Sequence, residues 1–388
     1  MSGNLADRVR LRLAGTAGDW GETQLAEATG QESRLLLDTV ALAELSGRLR
    51  AELTGAGPLE PLLAEPGVTD VLVNSADQVW VDRGGGLERS AARFDSDADV
   101  RRLAVRLAAQ AGRRLDDAAP YVDAALAGGV RLHAILPPLV AHPTLSLRVL
   151  GRRRLALSDL LALGALHLEL AELLTAVIRA RLSLLISGGT GTGKTSLLAA
   201  LLATAQPGDR IVTIEDAAEL SIDHPHVVAL LARAANLERA GAVELAELVR
   251  QALRMRADRL VVGEFRGAEI VELLAALNTG HAGGAATVHA NSVADVPARL
   301  VALAALGGMS AATLAAQAAS ALDVLVHVRR DQHGVRRVDQ LALWPRWDEQ
   351  PVTRMVWTRN GGLGPAAGVL RQRLVDAAVD LPALLDRT

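Results

Sequence analysis

A chain of 388 residues, half of them hydrophobic and 22% charged, is long enough for two or three domains and lacks the composition of a disordered polypeptide. It contains no cysteine, which excludes disulfide frameworks and thiolate zinc sites and fits a reducing compartment. A formal net charge of −3 with one tyrosine and two phenylalanines offers neither a strong basic field nor a row of stacking rings, which argues against nucleic acid as a partner.

The first residues, MSGNLADRVRLRLAG, are interrupted by arginines and an aspartate every few positions, so no secretory leader is expected and a cytoplasmic location is. Residues 1–50 read as a helical extension with apolar residues at roughly helical spacing (Leu35, Leu36, Val40, Leu42, Leu45, Leu49). The breaker cluster GAGPLEP, Gly55 to Pro61, opens a smaller α/β domain over 51–150. Within it, Asp70 to Asn74 and Gln78 to Asp82 predict a hairpin, a helix is expected from Asp97 to Ala111, and two more strands flank Ala127-Gly128-Gly129. Gly151-Arg152-Arg153-Arg154 reads as an exposed linker, assigned to 151–158. From 159 to 388, apolar strands alternate with amphipathic helices, the pattern of a mainly parallel sheet covered by helices. The uncharged run Leu300 to Leu322 has the length of a membrane span. Its alanines, its Gly307-Gly308 pair and its Ser310, Gln317 and Ser320 predict two buried helices joined by a turn instead.

The chemistry is concentrated in this second domain. Leu182 to Ser187 reads as a buried strand and Lys194 to Ala203 as a helix, and between them lies G-x-x-x-x-G-K-T: Gly188, Gly189, Thr190, Gly191, Thr192, Gly193, Lys194, Thr195, followed by Ser196. Strand, glycine loop and helix are the context a phosphate-binding loop requires, because glycines let the backbone N–H groups turn inward and the helix N-terminus adds partial positive charge. Lys194 is the only lysine among 41 basic Lys and Arg residues. A slender ammonium has been kept where a stem must reach the outer phosphates and a planar guanidinium would not fit. ATP and Mg²⁺ are the expected cofactors, with the Thr195 hydroxyl as a Mg²⁺ ligand.

Further along, Arg210 to Ile214 predicts a strand ending in Glu215-Asp216, and Leu260 to Val262 predicts one leading into Gly263-Glu264, with the carboxylate just past its tip. Ligands of open α/β sheets bind beyond the carboxyl ends of the strands, so one acid can activate water and another can hold Mg²⁺ through its waters. Either acid could instead merely cap the helix that follows it. A fourth strand, Ala285 to Val288, ends at His289, placed to sense a terminal phosphate, and His281 lies in the loop NTGHAGG with weaker support.

In this order the chain resembles the secretion-type ATPases, specifically the CpaF/TadA group of tight-adherence (Tad) pilus assembly. The likeness runs from Gly57-Pro58-Leu59-Glu60-Pro61 through VTDVLVN, VWVDRGG, GRRLD, ILPPL, SGGTGTGKTSLL, RIVTIEDAAEL, HVVAL, LVRQALRMRADRLVVGEFRG, ALNTGHAG and ATVHANS to near Val328. The resemblance implies a RecA-like P-loop domain, with Glu215 as the water-activating base, Glu264 as the Walker B acid and magnesium ligand, and His289 closing the histidine box. It implies that Arg131 and Arg148, with Arg114 as a further candidate, close on the phosphates from the N-terminal domain. It also implies a homo-hexamer working peripherally at the membrane through inner-membrane platform proteins. Phe265 departs from the pattern, since a small aliphatic residue usually follows the Walker B acid, and Ala282, Ala285 and Ala286 replace more polar residues. The type II secretion and type IV pilus relatives typically carry a four-cysteine zinc insert, which this chain cannot have. Conjugation or type IV secretion remains the alternative within the class, and a nucleotide-gated scaffold with little turnover the alternative outside it.

Overall fold

The computed structural model describes residues 8–9, 12–13, 22–33, 39–150, 154–233, 241–344 and 353–386. The chain divides into two compact units, Met1–Leu150 and Gly151–Thr388.

The first unit begins with helices α1 (Glu22–Glu32) and α2 (Thr39–Leu53), which bury Leu25, Ala28, Leu49 and Leu53 in a small cluster with Val9 and Leu13. Leu35 and Leu36 lie outside the described residues, and α2 runs three residues past the expected limit at 50 because nothing breaks it before Gly55. After α3 (Glu60–Ala64) come β1 (Asp70–Ser75), β2 (Gln78–Asp82), β3 (Leu87–Arg89), α4 (Asp97–Gln110), β4 (Tyr121–Leu126), β5 (Val130–Ile135) and β6 (Thr144–Val149). Helix α4 starts where Ser96 Oγ accepts the Asp99 N–H, with Asp97 and Asp99 in its first turn favourable to the helix dipole. The strands form one antiparallel sheet in the order β3-β2-β1-β6-β5-β4, with alternate residues such as Val71, Val73, Leu132 and Leu147 buried against α4 and its neighbours.

The second unit continues with α5 (Leu157–Ala162), α6 (Leu168–Arg179), β7 (Leu184–Ser187), α7 (Lys194–Leu202), β8 (Ile211–Glu215), β9 (Val227–Leu231), α8 (Leu245–Ala252) and β10 (Arg259–Phe265). It ends with α9 (Glu269–Leu277), β11 (Ala285–Val288), α10 (Val296–Leu306), α11 (Ala311–Ala321), β12 (Val324–Arg330), β13 (Arg336–Leu343), β14 (Arg354–Thr358), β15 (Gly362–Leu363), α12 (Ala367–Asp376) and α13 (Ala383–Asp386). Helix α5 opens inside the segment expected to be linker; Gly151, Arg152 and Arg153 lie outside the described residues, and Arg154 is exposed beside Asp223 at 3.4 Å.

The strand order is β15-β14-β13-β12-β7-β11-β10-β8-β9, parallel from β12 to β9 and antiparallel beyond. Helices cover both faces, so the central strands read as continuous apolar runs. Leu184, Ile186 and Val261 face one core, and Leu185, Leu260 and Val262 face the other. The alanine-rich run forms α10 and α11, bent by 118° at their break, and among the described residues no single helix is long and apolar enough to cross a membrane. Below the sheet, the fully buried Arg259 donates to Asp209 at 2.8 Å and to the Ile178 carbonyl at 2.8 Å, so its charge is paired and its donors are used.

Candidate active site

Strand β7 delivers the chain into the loop 188–195, and β7 is flanked by β11 and β12, so the loop emerges from the middle of the nine-stranded sheet. Only glycine fits at 188: a Cβ there would lie 2.3 Å from the Val328 carbonyl oxygen of β12 and 2.7 Å from Thr192 Oγ1. Thr192 Oγ1 donates to the Gly189 carbonyl at 2.9 Å and holds the loop's curl. Helix α7 begins at Lys194, so its unpaired N-terminal N–H groups face the hollow of the loop. The Lys194 ammonium is buried and donates to the Gly188 and Gly189 carbonyls at 3.1 and 3.0 Å. A polyanion in the loop could take over those donors.

Lys194, Glu264 and His289 are brought together. The ammonium lies 3.3 Å from His289 Nδ1 and 3.8 Å from Glu264 Oε1, and His289 Nε2 lies 2.6 Å from the same carboxylate oxygen. One protonation pattern satisfies every contact: a neutral imidazole accepts at Nδ1 from the ammonium and donates from Nε2 to the carboxylate. Burial and the adjacent Lys194 charge depress the His289 pKa below its ordinary value, which supports that neutral form.

The expectation that Glu264 sits past the end of its strand is corrected. Strand β10 runs on to Phe265, and its register against β11 slips between Val262 and Phe265. The slip leaves Gly263 and Glu264 opposite a single residue step of β11, a bulge that re-aims the glutamate toward the loop. Phe265 is buried in the core on the other face.

Glu215, the last residue of β8, is 4% exposed, and its Oε1 accepts the N–H groups of Glu219 and Leu220 at 3.1 and 2.8 Å. No helix directly follows Glu215, so that one oxygen closes a turn after β8 and does not cap a helix. The other, Oε2, is buried with no hydrogen-bond partner among the described residues. Burial pushes the Glu215 pKa up to about 7, against the opposing effect of the two backbone donors. The carboxylate fits there because its neighbour is Gly263: a Cβ at 263 would stand 2.9 Å from Glu215 Cγ. A buried carboxyl with a free lone-pair edge and a pKa near neutrality can accept a proton from water, which is the task of a general base.

Arg266 was not singled out by sequence reasoning. Its guanidinium donates to Glu264 Oε2 at 2.7 and 2.8 Å and lies 3.8 Å from Asp216, linking the acids at the ends of β8 and β10. One arginine in so arginine-rich a chain carries no distinguishing signal beyond its place two residues after Glu264.

Thr195 and Ser196 are half-buried in the first turn of α7. Among the described residues no group of three or more His, Asp or Glu side chains could hold a metal ion. The oxygens of Thr195 and Glu264 fit a magnesium ion carried in on phosphates, since that ion takes few protein ligands and keeps its waters. His281 is not drawn into this cluster; its Nδ1 bonds the Ala276 carbonyl at 3.2 Å.

Arg131 and Arg148 lie in the first unit as a directly opposed pair on β5 and β6, with Asp70 of β1 opposite Arg148. Like charges set opposite each other in a sheet are unfavourable, and the acids Asp123, 3.8 Å from Arg131, and Asp70, opposite Arg148, act against that repulsion. Arg114 is exposed and paired with Asp116.

Residues 52–349 match the family model for type II/IV secretion system proteins. A Mycobacterium tuberculosis (strain H37Rv) protein, whose name assigns it provisionally to conjugal transfer, is 53% identical over 347 residues, covering 88% of this chain and 98% of its own. The type IV secretion system protein PtlH of Bordetella pertussis (strain Tohama I) is 32% identical over 311 residues, covering 72% of this chain and 91% of its own. Among solved structures, the ATPase DotB of Yersinia pseudotuberculosis superposes with a TM-score of 0.53 at 15% identity, covering 85% of this chain and 91% of that one, a likeness of fold.

Proposed function

The chain belongs to the type II/IV secretion system protein family, and from that premise we propose that it is a magnesium-dependent ATPase that drives a secretion or pilus-assembly machine. The observation that carries this is the joined cluster Lys194–His289–Glu264 at the mouth of the phosphate loop, with Glu215 buried and partner-free at one oxygen beside it.

In this reading the N–H groups of the loop and of α7 bind the phosphate chain of ATP, and Lys194 trades its carbonyl partners for outer phosphate oxygens. Thr195 and Glu264 would hold Mg²⁺, which supplies charge neutralisation of the phosphates when bound. Glu215 Oε2 takes the proton of the attacking water, while Oε1 stays fixed by Glu219 and Leu220. His289 ties the lysine to the Walker B carboxylate, so loss of the terminal phosphate is felt at Glu264 as well as at Lys194.

At the finer level we propose a homo-hexameric cytoplasmic motor of a Tad pilus, associated with the membrane through a platform protein; the support is the run of motifs from VTDVLVN to ATVHANS. The conjugal-transfer name of the 53% identical relative favours a second reading, transfer of DNA or protein through a type IV secretion system. Deletion of the gene in its host, complemented with wild type or Glu215→Gln, separates the two. The Tad reading expects loss of surface fibres, restored only by wild type, with DNA transfer to a recipient strain unchanged; loss of transfer with fibres intact would establish the second.

A further inference from the structure

A cleft of about 420 Å³ opens beside the loop, lined by Gly189, Thr190, His289, Asn291, Asp295 and Arg299 together with Ala290. It shares the loop tip and His289 with the site above, but the first turn of α7, with Lys194 and Thr195, does not line it. Its far wall is the start of α10, where Asp295 and Arg299 stand one turn apart on the same face. The two do not form an ion pair: Asp295 accepts a hydrogen bond from Ser292 at 2.8 Å, and the exposed guanidinium of Arg299 has no side-chain partner among the described residues. An arginine not paired to a carboxylate, in a polar hollow with a histidine and an asparagine, suits a small oxyanion; the Asp295 carboxylate in the same lining opposes an anion, and its hydrogen bond from Ser292 offsets part of that charge. The volume holds a tetrahedral ion with several waters, at roughly 30 Å³ for each water.

We infer that this cleft is the exit subsite for the cleaved phosphate, with Arg299 as its binding cation and His289 as the gatepost shared with the catalytic side. The inference rests on the ATPase reading, in which Lys194 and His289 mark the terminal-phosphate end of the nucleotide. In the reaction, water gives a proton to Glu215 and adds to the terminal phosphorus, the bond to the bridging oxygen breaks with its electron pair going to ADP, and orthophosphate and ADP are formed side by side. The orthophosphate starts against His289, and the cleft continues from that side chain toward solvent, so it can leave while ADP stays in the loop. Arg299 would hold it briefly and, at high external phosphate, hold it again.

The test uses the full chain, with steady-state ATP hydrolysis under added orthophosphate and single-turnover ATP cleavage by rapid quench. For Arg299→Ala, the inhibition constant for orthophosphate should rise about ten times more than single-turnover cleavage slows, and Arg299→Lys should fall between Ala and wild type. Both substitutions sit at an exposed helical position where alanine and lysine are good helix formers, so folding is preserved. An unchanged inhibition constant in Arg299→Ala overturns the exit subsite. Parallel loss of cleavage and of phosphate inhibition overturns it too, by placing Arg299 on the nucleotide itself. Absence of ATP cleavage by wild type would instead bring down the ATPase reading, and the subsite with it.

Discussion

Replacing Glu215 by glutamine should stabilise the protein while stopping its turnover, and the gain should depend on pH in a defined direction. Burial raises the folded-state pKa of Glu215 from 4.5 to about 7, so the folded chain binds a proton more tightly than the unfolded chain does. The stabilising effect of that proton is complete below the unfolded value and is lost as pH rises through the folded one. At about 1.4 kcal/mol for each pKa unit, ionised Glu215 costs about 3 kcal/mol at pH 8 and under about 1 kcal/mol at pH 5. Glutamine does not titrate, and its carbonyl oxygen can still accept the Glu219 and Leu220 N–H groups that Oε1 accepts now. Glu215→Gln should therefore match wild type closely at pH 5 and exceed it at pH 8. At roughly 2–4 °C per kcal/mol for a unit of this size, the melting temperature at pH 8 should rise by about 6–12 °C. Thermal unfolding of nucleotide-free protein by circular dichroism at pH 5, 6, 7 and 8 measures this. A gap between variant and wild type that is the same at every pH, or a less stable variant at pH 8, would refute the argument from burial.

Gly263→Ala should cost about 1–3 kcal/mol in stability and lower turnover, because the new Cβ drives Glu215 off its two backbone donors; chemical denaturation and phosphate release read the two effects. His289→Ala should lower kcat by about a hundredfold or more, since Lys194 and Glu264 lose the group that joins them; an ATP titration that instead shows only a raised KM would assign His289 to ground-state binding.

Much of the second unit was legible because it is built from local signals. The loop needs glycines and one lysine at fixed spacing, and buried parallel strands show as uninterrupted apolar runs ending at the residues of the candidate site. The turn at Gly307-Gly308 likewise separated α10 from α11 correctly. What escaped notice depends on tertiary partners. The three residues of β3 are all exposed and carry no alternation, so only pairing with β2 makes them a strand. Strands β13 to β15 lie mostly beyond the region with recognisable motifs and are held by the edge of the sheet at β12. The bulge at Gly263-Glu264 is a matter of register with β11, which the sequence of β10 alone does not encode. Arg266 and Arg299 are arginines among many, and what distinguishes them is the carboxylate that one grips and the ion pair that the other lacks among the described residues.

The most direct test of the account is isothermal calorimetry of magnesium-ATP against the full chain and its Lys194→Ala variant. Saturable binding by wild type, weakened about a hundredfold when the ammonium is removed, is the expected result, corresponding to loss of charge-assisted bonds of up to about 3 kcal/mol. Equal affinity in the two proteins, or no binding by wild type, would contradict the assignment of residues 188–195 as the phosphate site and every role built around it.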